Sequence, residues 1–239
     1  MKTSNRIFWG FWGSAALLIV IFIAAFSSVT RAWVSPDGKQ LRDASSLTGP
    51  WKDQVLGVQE FSALELDGAF DVTWEHADTT SVTISVPERF SGAFSMRQEG
   101  TKVIFTNRLT GRFAELALRL KISGPRLSLV EARKSMKLKL QGTPGDQLNV
   151  SGNGAVWIEG TCDTPLERLS VSTRGMTVLQ MKSCPMKRLF LDLHGQVMIH
   201  ADVTESLEGA VNGSGELRLT GAPARQNLSQ HGSVRLRID

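Results

Sequence analysis

Apolar and polar residues alternate along most of the chain after residue 58, and a glycine recurs within this alternation. Successive glycines stand 21, 20, 20 and 17 residues apart. The residues two and four positions after each one are apolar or β-branched, as with Val156 and Ile158. A fixed period of about 20 residues that encloses a period-2 alternation is typical of stacked strands. These glycines are Gly154, Gly175, Gly195, Gly215 and Gly232.

Two all-β folds accommodate this pattern. A single-stranded, right-handed β-helix or β-roll with coils of about 20 residues stacks like side chains in columns, roughly 4.8 Å from coil to coil. The alternative is an antiparallel β-meander or sandwich with hairpin turns at Asn153-Gly154 and His194-Gly195. A two-residue loop there sets Val150 opposite Trp157, although the two belong to opposite faces. Since only a three-residue loop restores agreement, the pattern favours the β-helix.

One column predicted to face solvent is unusually apolar at its start. It consists of the residues three positions after each glycine. Apolar side chains stacked on a solvent-facing column form a contiguous patch, which is typical of a contact surface for a partner, a glycan or another copy. Alternatively, a segment such as 40–58 covers this column. The members of the candidate contact surface are Trp157, Val178, Met198, Arg218 and Arg235.

The N-terminus predicts a membrane segment. Residues 7–29 contain no charged side chain, and about 20 apolar residues suffice to span a bilayer. Trp9, Trp12 and Trp33 flank this run as interfacial aromatic residues do. We therefore expect residues 7–29 to contact the lipid bilayer as an uncleaved anchor. The alternative is a secretory signal cleaved after Ala25-Phe26-Ser27.

These features divide the chain into three parts. Residues 1–30 are the membrane anchor or signal segment, residues 31–57 a Pro-, Gly- and Ser-containing linker, and residues 58–239 the β-helical head domain. Both interpretations of the N-terminus predict export of the head. The expected location is the inner membrane with the head in the periplasm, or, after signal cleavage, a secreted or periplasmic protein.

The two cysteines fall in corresponding places of neighbouring predicted coils. Cys162 and Cys184 each precede a proline-containing turn, and one coil of separation brings their Cα atoms within the range of a disulfide. An exported domain favours oxidation of such a pair. The alternative is a pair of buried free thiols.

Candidate chemistry is sparse. A polysaccharide-cleaving β-helix needs carboxylates clustered on one exposed face, and no two adjacent members of the outward row Glu159, Gln180 and His200 are both acids. The histidines at 194 and 231 lie two coils apart, too far to share a metal ion. The net charge is only +4, which gives no reason to expect nucleic acid. We predict no enzymatic activity, catalytic residue, metal or cofactor.

Two stretches resemble a known family. FSALELDGAFDVTWEH (61–76) with SVTISVPE (81–88), and NGSGELRLTGAPARQNLSQHGSVRL (212–236), are similar to the head GIN domain family of putative auto-transporter adhesins. The resemblance spans roughly residues 58–239 and is carried by turns and alternation. It implies a β-helical head in the bacterial envelope and no catalytic residues. A lipid-attachment cysteine is missing here.

These observations predict a non-enzymatic, membrane-anchored binding or adhesion-type head domain of the bacterial cell envelope. The alternative is a structural or envelope-homeostasis accessory of a membrane complex, acting through the anchor. The expected partners are the bilayer and an envelope protein or glycan. Self-association through open strand edges is a further option.

Overall fold

Strands account for most of residues 49–238, the part of the chain that this computed structural model describes, and they form one curled, open, all-β sheet. Two short 3-10 turns, Glu88–Phe90 and Gly111–Phe113, interrupt them. The strands are β1 Trp51–Leu56, β2 Ala63–Asp67, β3 Phe70–His76, β4 Ser81–Pro87, β5 Phe94–Glu99, β6 Lys102–Asn107, β7 Leu118–Gly124, β8 Leu129–Ala132, β9 Met136–Gln141, β10 Gln147–Thr161, β11 Leu166–Thr220 and β12 Arg225–Ile238.

The predicted anchor, residues 7–29, lies outside the described residues. Within residues 49–238, no helix is long and apolar enough to cross a membrane.

Successive coils of the C-terminal half pair in parallel. β10 pairs with β11 so that Gly154 lies beside Gly175 and Val150 beside Val171. β11 pairs with β12 in the same sense. Like residues therefore stack in columns, as the period predicts. A hairpin at Asn153-Gly154 would require antiparallel pairing, so the meander alternative is wrong for residues 147–238.

Each coil contributes two strand segments. The first part of β10, residues 149–152, pairs with β8, and the second part, residues 156–161, pairs with β9. β2 and β3 lie below β8 and β9 in the same arrangement. The sheet thus has two flanks: the first flank runs β5-β6-β2-β8-β10, and the second flank runs β1-β4-β7-β3-β9-β10.

The far end of each flank is antiparallel. β5 pairs antiparallel with β6 on the first flank. On the second flank, β4 pairs antiparallel with both β7 and β1. β1 occupies residues 51–56, within the segment expected to be a linker. The parallel pairing of the coils is therefore replaced by antiparallel pairing at the outer end of each flank.

The apolar columns form the core. Side chains alternate in and out along a strand, and the buried sets stack from coil to coil as the alternation predicts. Leu64, Val130, Val150 and Val171 form one such column on the first flank. Val72, Leu138, Ile158 and Leu179 form another on the second flank. All eight are at most 2% exposed, so this burial supplies the main stabilisation.

The glycine column differs from the predicted one at a single coil. Gly213, and not Gly215, lies beside Gly232, and its Cα lies over the carbonyl group of Gly195. Gly215 lies instead over Val197. The coil is therefore shorter by two residues than the sequence indicates. Because the shift is even, the residues of this coil keep their predicted faces but change their neighbours.

The predicted disulfide is confirmed. Cys162 and Cys184 are bonded, with their Cα atoms 4.5 Å apart. Cys184 is fully buried. The bond joins two neighbouring coils where the ladder between Glu159 and Thr161 shifts its register.

Candidate functional site

The outward column of the second flank carries the predicted contact surface. Trp157 and Val178 are direct neighbours on β10 and β11, and Met198 occupies the same place one coil later. Trp157 is 42% exposed, Val178 is 7% exposed and Met198 is half-buried. The structure therefore brings these three apolar side chains together on one outer face.

The indole of Trp157 is held by charged neighbours. Lys137, its ladder partner on β9, has its Nζ 5.6 Å from the ring centroid. Trp157 Nε1 donates a hydrogen bond of 3.2 Å to Glu159 Oε2. Glu159 Oε1 in turn lies 3.3 Å from Lys137 Nζ. A cation near the ring and a bonded N–H fix the orientation of the indole, so an exposed aromatic surface is presented in a defined pose.

The basic end of the surface is arranged differently from the prediction. Arg235 lies beside Glu216, whereas Arg218 lies beside Arg237 in the neighbouring column. The assignment of Arg218 to the Trp157 column is therefore wrong, because that coil is two residues shorter than predicted. Arg218 still borders the surface, since its Nε lies 2.9 Å from Glu216 Oε1. This hydrogen bond is the main cause that lowers the pKa of Glu216.

Segment 40–58 was the alternative expected to cover this surface. The part of it that the structure describes lies elsewhere. Residues 51–56 form β1, which pairs with β4. Three strands, β7, β3 and β9, separate β4 from β10 in the sheet. The described residues of segment 40–58 that form a strand therefore do not cover Trp157.

A second candidate site is a polar groove on the first flank, with a cavity volume of about 320 Å³. Two outward columns line it. The sequence analysis did not identify the acidic residues that line it on β2 and β8. The first column holds Glu65, Glu131, Ser151, Ser172 and Asp192, and the second holds Arg133, Asn153, Arg174 and His194.

The groove holds a serine, an aspartate and a histidine, but not in a catalytic order. Ser172 Oγ donates to Asp192 Oδ2 at 3.2 Å, and His194 Nε2 lies 3.4 Å from Asp192 Oδ1. A nucleophilic serine needs the imidazole between itself and the carboxylate. Here the carboxylate lies between the other two, so this arrangement does not activate Ser172. Within residues 49–238, no group of three or more His, Cys, Asp or Glu side chains is placed to hold a metal ion.

An ion-pair network closes one end of the groove. Lys102 Nζ lies 3.2 Å from Glu65 Oε2 and 2.6 Å from Glu131 Oε2. Arg133 Nη2 lies 2.7 Å from Glu65 Oε1. Burial by itself would raise the pKa of Glu65, but the hydrogen bonds from Arg133 and Lys102 outweigh it and lower the pKa below its ordinary value of 4.5. The network therefore favours a charged Glu65.

This lowered pKa predicts acid-dependent stability. A carboxyl whose pKa is lower in the folded state contributes stability above its unfolded pKa, and the contribution is lost as the pH falls through the folded value. We expect Glu65→Gln to lower the free energy of unfolding by about 1 kcal/mol at pH 7 and by less at pH 3. Urea unfolding of both proteins at the two pH values measures this. Exposed Glu60→Gln is the control, and an equal loss at both pH values would contradict the prediction.

Comparison with known proteins supports the fold. No family model and no curated protein match the sequence. Among solved structures, the fold is similar to that of a putative adhesin from Bacteroides fragilis, with a TM-score of 0.63 and 15% sequence identity over 80% of this chain and 98% of that chain. A putative adhesin from Parabacteroides merdae matches with a TM-score of 0.49 and 15% identity over 79% of this chain and 97% of that chain.

The comparison defines a fold class and no more. At 15% identity, the first match shows a shared fold, and the second superposes too loosely to add an argument. The likeness agrees with the all-β fold that the sequence predicts. The head GIN domain family itself is not matched by a family model.

Proposed function

We propose that the chain is a non-enzymatic binding or adhesion-type head domain of the bacterial cell envelope, anchored in the inner membrane by residues 7–29 and exposed to the periplasm. Within this proposal the stacked coils form a right-handed β-helix that presents flat, regular outer faces. The parallel pairing with an offset near 20 residues supports it. A solenoid of this kind offers extended surfaces for a partner.

The observation that carries the proposal is the exposed indole of Trp157. Contiguous apolar patches on an outer face mark contact surfaces, and aromatic residues dominate the energy of binding surfaces. Trp157 is 42% exposed on a face that also carries Met198. The ligand in this proposal is an envelope protein or glycan that lies along the column.

The test compares two exposed aromatic residues on different flanks. Full-length protein in detergent micelles is measured against a glycan array and envelope extracts by biolayer interferometry. We expect Trp157→Asp to weaken any specific binding by about tenfold or more. Because the substitution also removes the contacts of the indole with Lys137 and Glu159, we expect a loss of stability of about 1–2 kcal/mol, and binding is compared only on protein that circular dichroism shows to be folded.

Phe190→Asp is the matched control. Phe190 is 38% exposed but lies on the first flank, so its substitution should leave binding unchanged. Equal binding by wild type and Trp157→Asp would contradict the contact surface. Binding lost equally in both variants would point to a general effect of a new negative charge, and would also contradict it.

The accessory alternative makes a different prediction. If the chain acts by holding a membrane complex through its anchor, replacing residues 1–30 with a cleavable signal should abolish function in cells while leaving the affinity of the head unchanged. A binding head should keep its ligand after that replacement.

A further inference from the structure

Arginine and phenylalanine side chains cluster at the antiparallel end of the second flank. The Arg89 guanidinium carbon lies 4.6 Å from the Phe90 ring centroid and 4.8 Å from the Phe113 centroid. The two rings lie 4.9 Å apart, and Arg112 lies 4.9 Å from the Phe113 ring. We call Arg89, Phe90, Arg112 and Phe113, with Trp51 and Arg119 described next, the tether-end cluster.

This cluster lies at the first residue of β1. Trp51, the first residue of β1, pairs with Pro87, which directly precedes the turn that carries Arg89. The Arg119 guanidinium carbon lies 4.4 Å from the Trp51 ring. Three aromatic rings and three guanidinium groups are therefore gathered around the start of β1.

The loop that carries Arg112 and Phe113 is held in place. Asn107 Nδ2 donates 3.0 Å hydrogen bonds to the carbonyl oxygens of Ala69 and Leu116, and Leu109 N donates to Asn107 Oδ1 at 3.0 Å. Asn107 is 9% exposed. A buried amide that satisfies three backbone groups fixes the loop, so Arg112 and Phe113 are presented in a preorganised pose.

The charge of this end is net positive. Arg89, Arg112 and Arg119 are exposed, and within residues 49–238 no carboxylate forms a salt bridge with any of them. The loops also carry exposed Arg108, and the acids Glu88 and Glu115. An anionic surface would supply the missing partners.

We propose that the tether-end cluster binds the surface of an anionic lipid bilayer, the one in which the chain is anchored. Tryptophan favours the headgroup region, phenylalanine favours the boundary between headgroups and acyl chains, and guanidinium groups attract anionic lipids. Residues 30–50 connect the predicted span to Trp51 and reach at most about 75 Å when fully extended. A tether of this length keeps the cluster at high effective concentration near its own membrane. The inference rests on the proposed anchor.

The experiment places a spin label beside the cluster. Full-length Ser91→Cys, labelled next to Phe90, is reconstituted into nanodiscs of phosphatidylcholine, with or without about one third phosphatidylglycerol. Accessibility of the label to a water-soluble nickel complex reports contact with lipid. Ser233→Cys, exposed on β12, is the matched control at the other end of the stack.

We expect the Ser91 label to be shielded in the anionic nanodiscs and the Ser233 label to stay accessible in both. Each basic residue at an anionic surface contributes about a factor of five, so Arg89→Gln with Arg112→Gln should lower the docked-to-undocked ratio about 30-fold. The exposed pair Arg126→Gln and Lys182→Gln removes the same charge and should have no effect. Raising the salt to about 1 M should release wild type without any substitution.

The outcomes separate this inference from the proposed function. Protein that does not insert into nanodiscs overturns both. Protein that inserts with an equally accessible Ser91 label in both lipids overturns the lipid contact alone. Shielding that is independent of anionic lipid and of salt, or that depends on protein concentration through a second copy, also overturns it.

Discussion

Replacing Gly195 with alanine is expected to lower the free energy of unfolding by about 4 kcal/mol. The residue has φ 125°, a backbone conformation that favours glycine. An added Cβ would also overlap the carbonyl oxygen of Gly175 on the neighbouring coil. The overlapping atom belongs to the backbone and cannot rotate away as a side chain would. The two strands must therefore move apart, which weakens the hydrogen bonds of the parallel ladder.

Urea unfolding followed by tryptophan fluorescence measures the effect. Gly57→Ala is the matched control, because a Cβ there meets no atom within 4 Å and the backbone is not left-handed. We expect that control to stay within about 0.5 kcal/mol of wild type. A loss below about 1 kcal/mol for Gly195→Ala would show that the two coils are not in the close contact that the stacking requires.

The alternation predicted the core well because burial depends only on whether a residue lies an even or an odd number of positions along the strand. Leu148, Val150, Val156 and Ile158 are all buried, as their positions relative to Gly154 predict. A strand with one face toward the core must alternate, and this holds whatever its neighbours are. The register of one coil on the next needs a further marker, and the repeated glycine provided it for most coils.

The repeated glycine gave the wrong register in the coil that contains two candidate glycines. Gly213 and Gly215 both have positive φ, and each fits the small-residue position of the column. Only the pairing of Gly213 with Gly232 separates them. The choice of Gly215 preserved the faces but put Arg218 into the Trp157 column, where the structure has Glu216 beside Arg235.

The acidic end of the polar groove could not be predicted from the sequence, for a different reason. Its acidic end joins Glu65 on β2 to Glu131 on β8, which are direct neighbours in the sheet. The intervening chain forms β3 to β7 and carries no periodic glycine. Pairing between segments so far apart leaves no local signal, and so the Lys102–Glu65–Arg133 network could only be found from the structure.

Removal of the disulfide is expected to lower the free energy of unfolding by about 3 kcal/mol, because the bond closes a loop of roughly 22 residues in the unfolded chain. The change to make is the double variant Cys162→Ala with Cys184→Ala. Alanine is chosen because Cys184 is fully buried, and a serine hydroxyl there would add an unsatisfied polar group. Urea unfolding of the wild type with and without a reductant should show the same loss.

The reductant also provides the control, since it should not affect the double variant. A wild type that is equally stable with and without reductant would contradict a structural role for the bond.

The oxidation state in cells tests the location as well. Disulfides persist in oxidising compartments such as the periplasm, so acid trapping and alkylation of intact cells should find Cys162 and Cys184 oxidised. Reduced thiols in the folded protein in cells would contradict export of the head, and with it the proposed envelope function.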